Sequence, residues 1–335
     1  MKYPDGHWLS LYPCCKVVSG AKKDAIYDLQ RERHYLIPKS LTEIIHELKT
    51  SSIGDVINHH KDAKNSIIEY IDFLLNQDLA IATSEKNIQF EEIKEQYTSP
   101  LLITNAIIDR DGESTYRWSE VFKKLETVLC ENIEIRWFKA LNQEELDTVL
   151  NYMDGSRLRD VELLWEYDPQ WSLEAVLKLY NKYPRIKKVT LYGVPEKLSK
   201  TYIHEEVTVI FTKQANIDKS SCGVVNRWYM LPKLELYVES ISCNSCLNQK
   251  VGIDAQGQVR NCPSMPFSYG HIHDVDLIKL VKSDKFREMW HIKKDNIEVC
   301  KDCELRHMCQ DCRAFINNPD NIYSKPSKCA YNPYE

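Results

Sequence analysis

"CKDCELRHMCQDC", residues 300–312, places four cysteines within thirteen positions, and its reading decides what the C-terminal third of the chain is. Thiolates this dense point to a metal, because sulfur is a preferred ligand of zinc and of iron–sulfur centres. Reading outward, Cys243-x2-Cys246-x15-Cys262 precedes the stretch and Cys329 follows it. Eight of the twelve cysteines fall between Cys243 and Cys329, whereas core thiols would be scattered along the chain. Eight thiolates fill two four-sulfur sites, and zinc and iron–sulfur clusters both accept four cysteines, so the count does not choose between them. Spacing favours clusters. The paired knuckles of a zinc ribbon stand roughly 15–20 residues apart. Only five residues separate Cys303 from Cys309, closer to the cysteine runs of bacterial ferredoxins.

The remaining composition is that of an ordinary globular chain of 335 residues, 43% hydrophobic and 28% charged. The best apolar run, 101–108, is interrupted by Thr104 and Asn105, so no membrane-spanning segment is expected. The N-terminal residues lack the basic and apolar parts of an export signal, and a cytoplasmic protein is expected. In a reducing compartment cysteines serve as thiols or metal ligands rather than disulfides. A net charge of −5 gives no electrostatic reason to expect nucleic acid.

Three regions are expected, making an α/β chain. Residues 1–98 read as short strands, three helices and a returning strand, a winged-helix-like domain. Ser40 and Glu43 have capping-box spacing at the first helix. Residues 55–60 make a short second helix, and Ile67, Ile68, Ile71, Leu74 and Leu75 form the apolar stripe of the third. Residues 99–236 alternate strand and helix patterns, the rhythm of βα units in a mainly parallel sheet that is too short for a closed eight-stranded barrel. Residues 237–335 hold the cysteines and one convincing helical pattern, 276–294, so metal ligation is expected to supply stability that periodicity does not.

Cys246, ten residues, Gly257, four residues and Cys262, followed by the run Cys300–Cys312 and the late Cys329, resemble a SPASM domain. This is the auxiliary iron–sulfur module of radical SAM peptide- and protein-modifying enzymes. "SYGHIHDV" and "SDKFREMW" are similar to that family too, although Cys309 and Cys312 stand two residues apart where the family more often has three. By order, the resemblance implies one [4Fe–4S] cluster on Cys243, Cys246, Cys262 and Cys312, and a second on Cys300, Cys303, Cys309 and Cys329. The CxxxCxxC triad that binds the S-adenosylmethionine cluster is absent from the sequence, so no S-adenosylmethionine chemistry is expected. A SPASM domain on a partial radical SAM-like barrel without that triad resembles the grasp-with-spasm peptide maturases. The resemblance implies a ribosomally made precursor peptide and a separate ATP-grasp ligase as partners. It also makes the N-terminal domain a leader-recognition module, with Tyr35 and Ile37 on a candidate edge strand and Tyr70 and Phe73 on the third helix.

The sequence leaves two other readings open. One is a peptide-binding scaffold held by zinc. The other is a winged-helix redox regulator, disfavoured because Glu69, Asp72 and Asp78 on or beside the third helix would face phosphates. Cys14, Cys15, Cys130 and Cys222 read as small buried hydrophobes. His59 and His60 read as a solvated helix end, and His271 and His273 as alternating along a strand. No phosphate-cradling glycine loop is present, so ATP is not expected to bind this chain.

Overall fold

The computed structural model describes residues 6–86, 90–226 and 230–335. The N-terminal region opens with β1 (Trp8–Leu11), β2 (Cys15–Ser19), β3 (Asp24–Asp28) and β4 (Arg33–Ile37). Helices α1 (Lys39–Leu48), α2 (Ile53–His59) and α3 (Lys64–Asn76) follow, and β5 (Ala80–Thr83) returns to pair antiparallel with β1. Strands β2, β3 and β4 form an antiparallel sheet in that order, leaving β4 at an edge. The apolar stripe on α3 behaves as its spacing requires: Ile67, Ile71 and Leu74 are buried, with α1 and α2 contributing Leu41, Ile45, Val56 and Ile57 to the same core. The expected capping box does not form. Pro38, in extended conformation, occupies the N-cap of α1, and the Ser40 hydroxyl instead meets Tyr70 Oη at 2.7 Å.

Strand β3 is buried at all five positions, which a sheet covered on one face would not produce. Ile26 faces the helices. Ala25 and Tyr27 face the other way, into a core shared with Tyr237, Leu305 and Met308 of the C-terminal region. Polar bonds reinforce that junction. Tyr27 Oη donates to the Glu304 carbonyl at 2.6 Å, Ala21 N–H donates to the Asp302 carbonyl at 2.7 Å, and Arg306 donates to the Ser19 carbonyl at 2.6 Å. The N-terminal sheet is therefore the middle layer between its own helices and the cysteine-bearing lobe.

The central region is built on β6 (Asn105–Arg110), β7 (Asn132–Ala140), β8 (Asp160–Glu166), β9 (Ile186–Tyr192) and β11 (Val207–Thr212), all parallel, with β10 (Lys200–His204) as an antiparallel edge. Helices α4 (Trp118–Thr127), α5 (Gln143–Met153) and α6 (Leu173–Lys182) lie between the strands in sequence. Alternate side chains separate the two faces of the sheet. On β7, Ile133, Ile135 and Trp137 join the core with the helices, while Glu134 and Arg136 point to the other face. The sheet is open and continues into the cysteine-rich region. Strand β12 (Lys250–Ile253) pairs parallel to β6, and β13 (Val259–Arg260) closes the order β10-β11-β9-β8-β7-β6-β12-β13.

Helix α7 (Leu234–Ser242) leads into that region. The long helix expected over 276–294 is broken into α8 (Leu277–Val281), α9 (Asp284–Arg287) and 3₁₀ turns. The reason is local. The Ser283 hydroxyl accepts from Phe286 N–H and starts a fresh helical turn where continuity was expected. Among the described residues no helix is long and apolar enough to cross a membrane.

Tyr27→Phe should destabilise the protein by about 1–3 kcal/mol, because the buried Glu304 carbonyl loses its donor and cannot reach water. Comparative thermal unfolding of anaerobically prepared protein checks this, and an unchanged midpoint would show that the junction contributes little.

Candidate metal centre

All twelve cysteines are free thiols. Several of the eight in the C-terminal region are positioned by short backbone devices. Beyond α7, the Asn244 side chain accepts the N–H groups of Cys246 at 3.0 Å and Leu247 at 2.8 Å, an Asx turn that orients Cys246. The β12–β13 hairpin carries Cys262, and its turn requires Gly257. That residue has φ +73°, and a Cβ there would lie 2.4 Å from His271 Nε2. His271 makes an isolated bridge to Gln258 and not a regular strand, so the expected alternation with His273 is not seen. Two 3₁₀ turns, Cys300–Asp302 and Arg306–Met308, lead into Cys303 and Cys309.

Cys303 packs against Cys309 in one small core with Leu305 and Met308, and Cys300 opens the 3₁₀ turn that leads into Cys303. Burial pushes the Cys303 thiol up to about 12 and the Cys309 thiol to about 11. A second set gathers Cys246, Cys262 and Cys312. Cys262 is lifted to about 12 by burial and then by Cys246, while burial followed by Cys246 also raises Cys312. Cys243 is placed differently. It ends α7 with its N–H on the Glu239 carbonyl at 2.7 Å, and after burial the charges that act on it are those of Glu239 and Lys293.

Each set has an ammonium against sulfur. Lys250 Nζ is 3.7 Å from Cys246 Sγ, and Lys294 Nζ is 3.8 Å from Cys300 Sγ. Lys294 is only 3% exposed and is also paired with Asp311 at 3.2 Å. Four thiolates around iron leave net negative charge in a dry site, and a buried cation offsets it. Thiols raised this far are protonated at neutral pH until a metal displaces the proton, so metal loading here releases protons.

Sulfur spacing tests what fits. One tetrahedral zinc with Zn–S of about 2.3 Å draws its sulfurs to within roughly 3.8 Å of one another. Among the described residues, the groups whose ligand atoms close to within 4.8 Å are Cys14–Cys15–Asp28 and Glu47–His59–His60, neither drawn from the eight. No three of the eight C-terminal cysteines close to that extent, so the arrangement is wider than one four-sulfur zinc ion would draw together. The Glu47 group was not legible beforehand: its carboxylate, from α1, bridges His59 Nδ1 at 2.8 Å and His60 Nε2 at 2.7 Å.

The expected peptide-contacting residues divide. Tyr35 meets Phe73 edge-on with ring centroids 5.6 Å apart, so β4 and α3 form one aromatic-lined flank, with Tyr70 held by Ser40. Ile37 is 3% exposed and packs in the domain core, so its side chain is not on that flank. A cavity of about 820 Å³ lies elsewhere in the same domain, bounded by Trp8, Tyr12, Val17, His46 and Phe90.

Comparison with known proteins bears on the cysteine-rich lobe above all. No curated protein matches the chain. Among solved structures, SuiB of Streptococcus suis bound to S-adenosylmethionine is 10% identical, with 96% of this chain and 100% of that chain covered and a TM-score of 0.38. SuiB bound to the precursor peptide SuiA gives the same identity and coverage with a TM-score of 0.36. Residues 243–304, which hold five of the eight cysteines, match the model of the SPASM family, an iron–sulfur cluster-binding domain.

Proposed function

We propose that this chain is an iron–sulfur protein of ribosomal peptide maturation, which binds a precursor peptide and acts beside a separate ATP-grasp ligase. The observation that carries the reading is the match of residues 243–304 to an iron–sulfur cluster-binding domain, supported by a lysine ammonium against the sulfurs of Cys246 and Cys300. Cys300, Cys303, Cys309 and Cys329 hold one [4Fe–4S] cluster. Cys246, Cys262 and Cys312 supply three ligands of the other. A cluster of this kind supplies one-electron chemistry and rigid cross-linking of the loops that bind it. With four cysteines, the cluster on the Cys300–Cys329 set is an electron carrier or a staple rather than an open Lewis acid.

The precursor's leader adds as a strand at the free edge of β4, gaining backbone hydrogen bonds there and side-chain contacts with Tyr35, Tyr70 and Phe73. Ile37 contributes backbone alone. Cleavage of S-adenosylmethionine is not part of the function. The segment after β6, where a three-cysteine loop would sit, is a short turn closed by Asp111 and Ser114, and Arg110 is bound to Glu145 and the Tyr116 carbonyl.

Anaerobically reconstituted protein should carry about 8 Fe and 8 sulfide per chain, and Cys303→Ser should remove about half of the iron. Stoichiometric zinc without broad absorption in the visible would sink the iron–sulfur reading. Reduced protein given S-adenosylmethionine should yield no 5′-deoxyadenosine above background, whereas turnover would reveal an unrecognised cluster site. Tyr70→Ala in the full chain should weaken precursor binding at least several-fold in a titration, by the loss of one buried aromatic contact. Unchanged affinity would move recognition to another surface, for which the Trp8–Phe90 cavity is the next candidate.

A further inference from the structure

Three cysteines of the first set leave one corner of a cluster to be filled, and the sequence order offers Cys243. The structure brings the loop that carries a different cysteine to that place. After β11 the chain makes a 3₁₀ turn at Lys219–Ser221, closed by a capping box on Asp218, and emerges extended at Cys222. This turn is fastened on both sides to loops that carry cluster ligands. The Ser264 hydroxyl, two residues beyond Cys262, donates to the Lys219 carbonyl at 2.8 Å. Lys328, adjacent to Cys329, donates to the Cys222 carbonyl at 2.6 Å and also to that of Ser220. Val225 N–H returns a bond to the Lys328 carbonyl at 3.3 Å.

Residue 223 shows how close the approach is. Gly223 has φ +81°, and a Cβ on it would stand 2.8 Å from Cys312 Sγ. Glycine is required there because the backbone beside Cys222 lies directly against the Cys312 sulfur. Cys246 and Cys262 pack together in a small cluster with Met265, next to the Ser264 hydroxyl that holds this turn. Cys243, in contrast, ends α7 with its N–H on the Glu239 carbonyl at 2.7 Å.

We infer that Cys222, from the loop after the last parallel strand, is the fourth ligand of the first cluster, with Cys246, Cys262 and Cys312, and that Cys243 lies outside it. This rests on the iron–sulfur reading above and alters its ligand set. The consequence is structural as well as chemical. With Cys222 as ligand, the cluster joins the central sheet to the C-terminal lobe, and the turn at residues 218–222 is ordered by metal as well as by hydrogen bonds.

The test compares full-length wild type, Cys222→Ser, Cys222→Ala and Cys243→Ser after anaerobic reconstitution with iron and sulfide. Iron, sulfide and EPR of oxidised and reduced samples are measured on soluble, monodisperse protein. Wild type and Cys243→Ser should hold about 8 Fe. Both Cys222 variants should lose iron from the first cluster or change its EPR signal, since three thiolates leave one of its four irons without a cysteine, while the signal of the second cluster persists and reports an intact fold. Cys222 variants with full iron and an unchanged spectrum would overturn the assignment, as would loss of the first cluster in Cys243→Ser. Failure of the underlying reading is distinct, because wild type itself would then hold no iron–sulfur cluster.

Discussion

Asp311 is the residue on which both cysteine sets depend. It lies between Cys309, in one set, and Cys312, in the other, with no solvent exposure. One carboxylate oxygen takes Arg313 at 2.8 Å and Lys294 at 3.2 Å, and the other takes the Asn244 amide at 2.7 Å. Its backbone N–H is held by the Ser245 hydroxyl, which donates in turn to the Cys309 carbonyl at 3.0 Å. A buried carboxylate is tolerated only when its charge and lone pairs are met, and removing one partner of such a pair costs roughly 3–5 kcal/mol. Here the partners are also the positioning groups of the metal sites. Lys294 reaches Cys300, Asn244 sets the turn at Cys246, and Arg313 ties down the carbonyls of Ile322 and Ser324 ahead of Cys329. One charge thus registers the two cysteine sets relative to each other.

The N-terminal domain is attached to this centre through β3. Tyr27 and Ala21 bond to backbone carbonyls at Glu304 and Asp302, next to Cys303, and Met308 and Cys309 pack in the same small core. Strand β4, the free edge, is hydrogen-bonded to β3 over Asp24–Asp28. A peptide added at β4 is therefore two strands from residues that adjoin cluster ligands. That arrangement suits a protein that recognises a leader in one place and presents the rest of the chain to an iron–sulfur lobe in another.

Patterns that depend on side-chain periodicity were legible in the sequence. The parallel strands at 105–110, 132–140, 160–166, 186–192 and 207–212 lie within the region whose strand and helix patterns alternate, and the α3 stripe is buried as its spacing demands. Features that depend on tertiary partners were not. Ile37 alternates with Tyr35's neighbour on β4 no differently from any strand residue, but the side it faces is filled by α1 to α3. Nothing local in "SLTE" shows that Pro38 will pre-empt the cap and Tyr70 will claim Ser40. Strand β12 is four residues long and joins a strand some 145 positions earlier, a pairing with no sequence signature. Cys222 looked like an isolated thiol because motif spacing is a property of one segment, and its partners come from two others.

The inner face of the central sheet shows why a ligand from that loop makes physical sense. Arg136 and Asp109 form a buried pair at 2.7 Å on adjacent strands, with burial lifting the Asp109 carboxyl to about 6 against the pull of the guanidinium. Asp109 Oδ2 and Arg136 Nη2 have no hydrogen-bond partner there, so the pair carries polarity that the sheet itself does not use. The charge of Cys222 acts on Arg136, and that of Glu134, on the same strand, acts on Lys250. The charged face of the sheet and the first cysteine set thus share one electrostatic environment, with Cys222 at their boundary. An anionic cluster placed there meets cations from both sides, Lys250 from β12 and Arg136 from β7. Charge balance that draws on the sheet and the lobe together adds to what their apolar cores hold in place, because an unmatched charge in a dry site is costly.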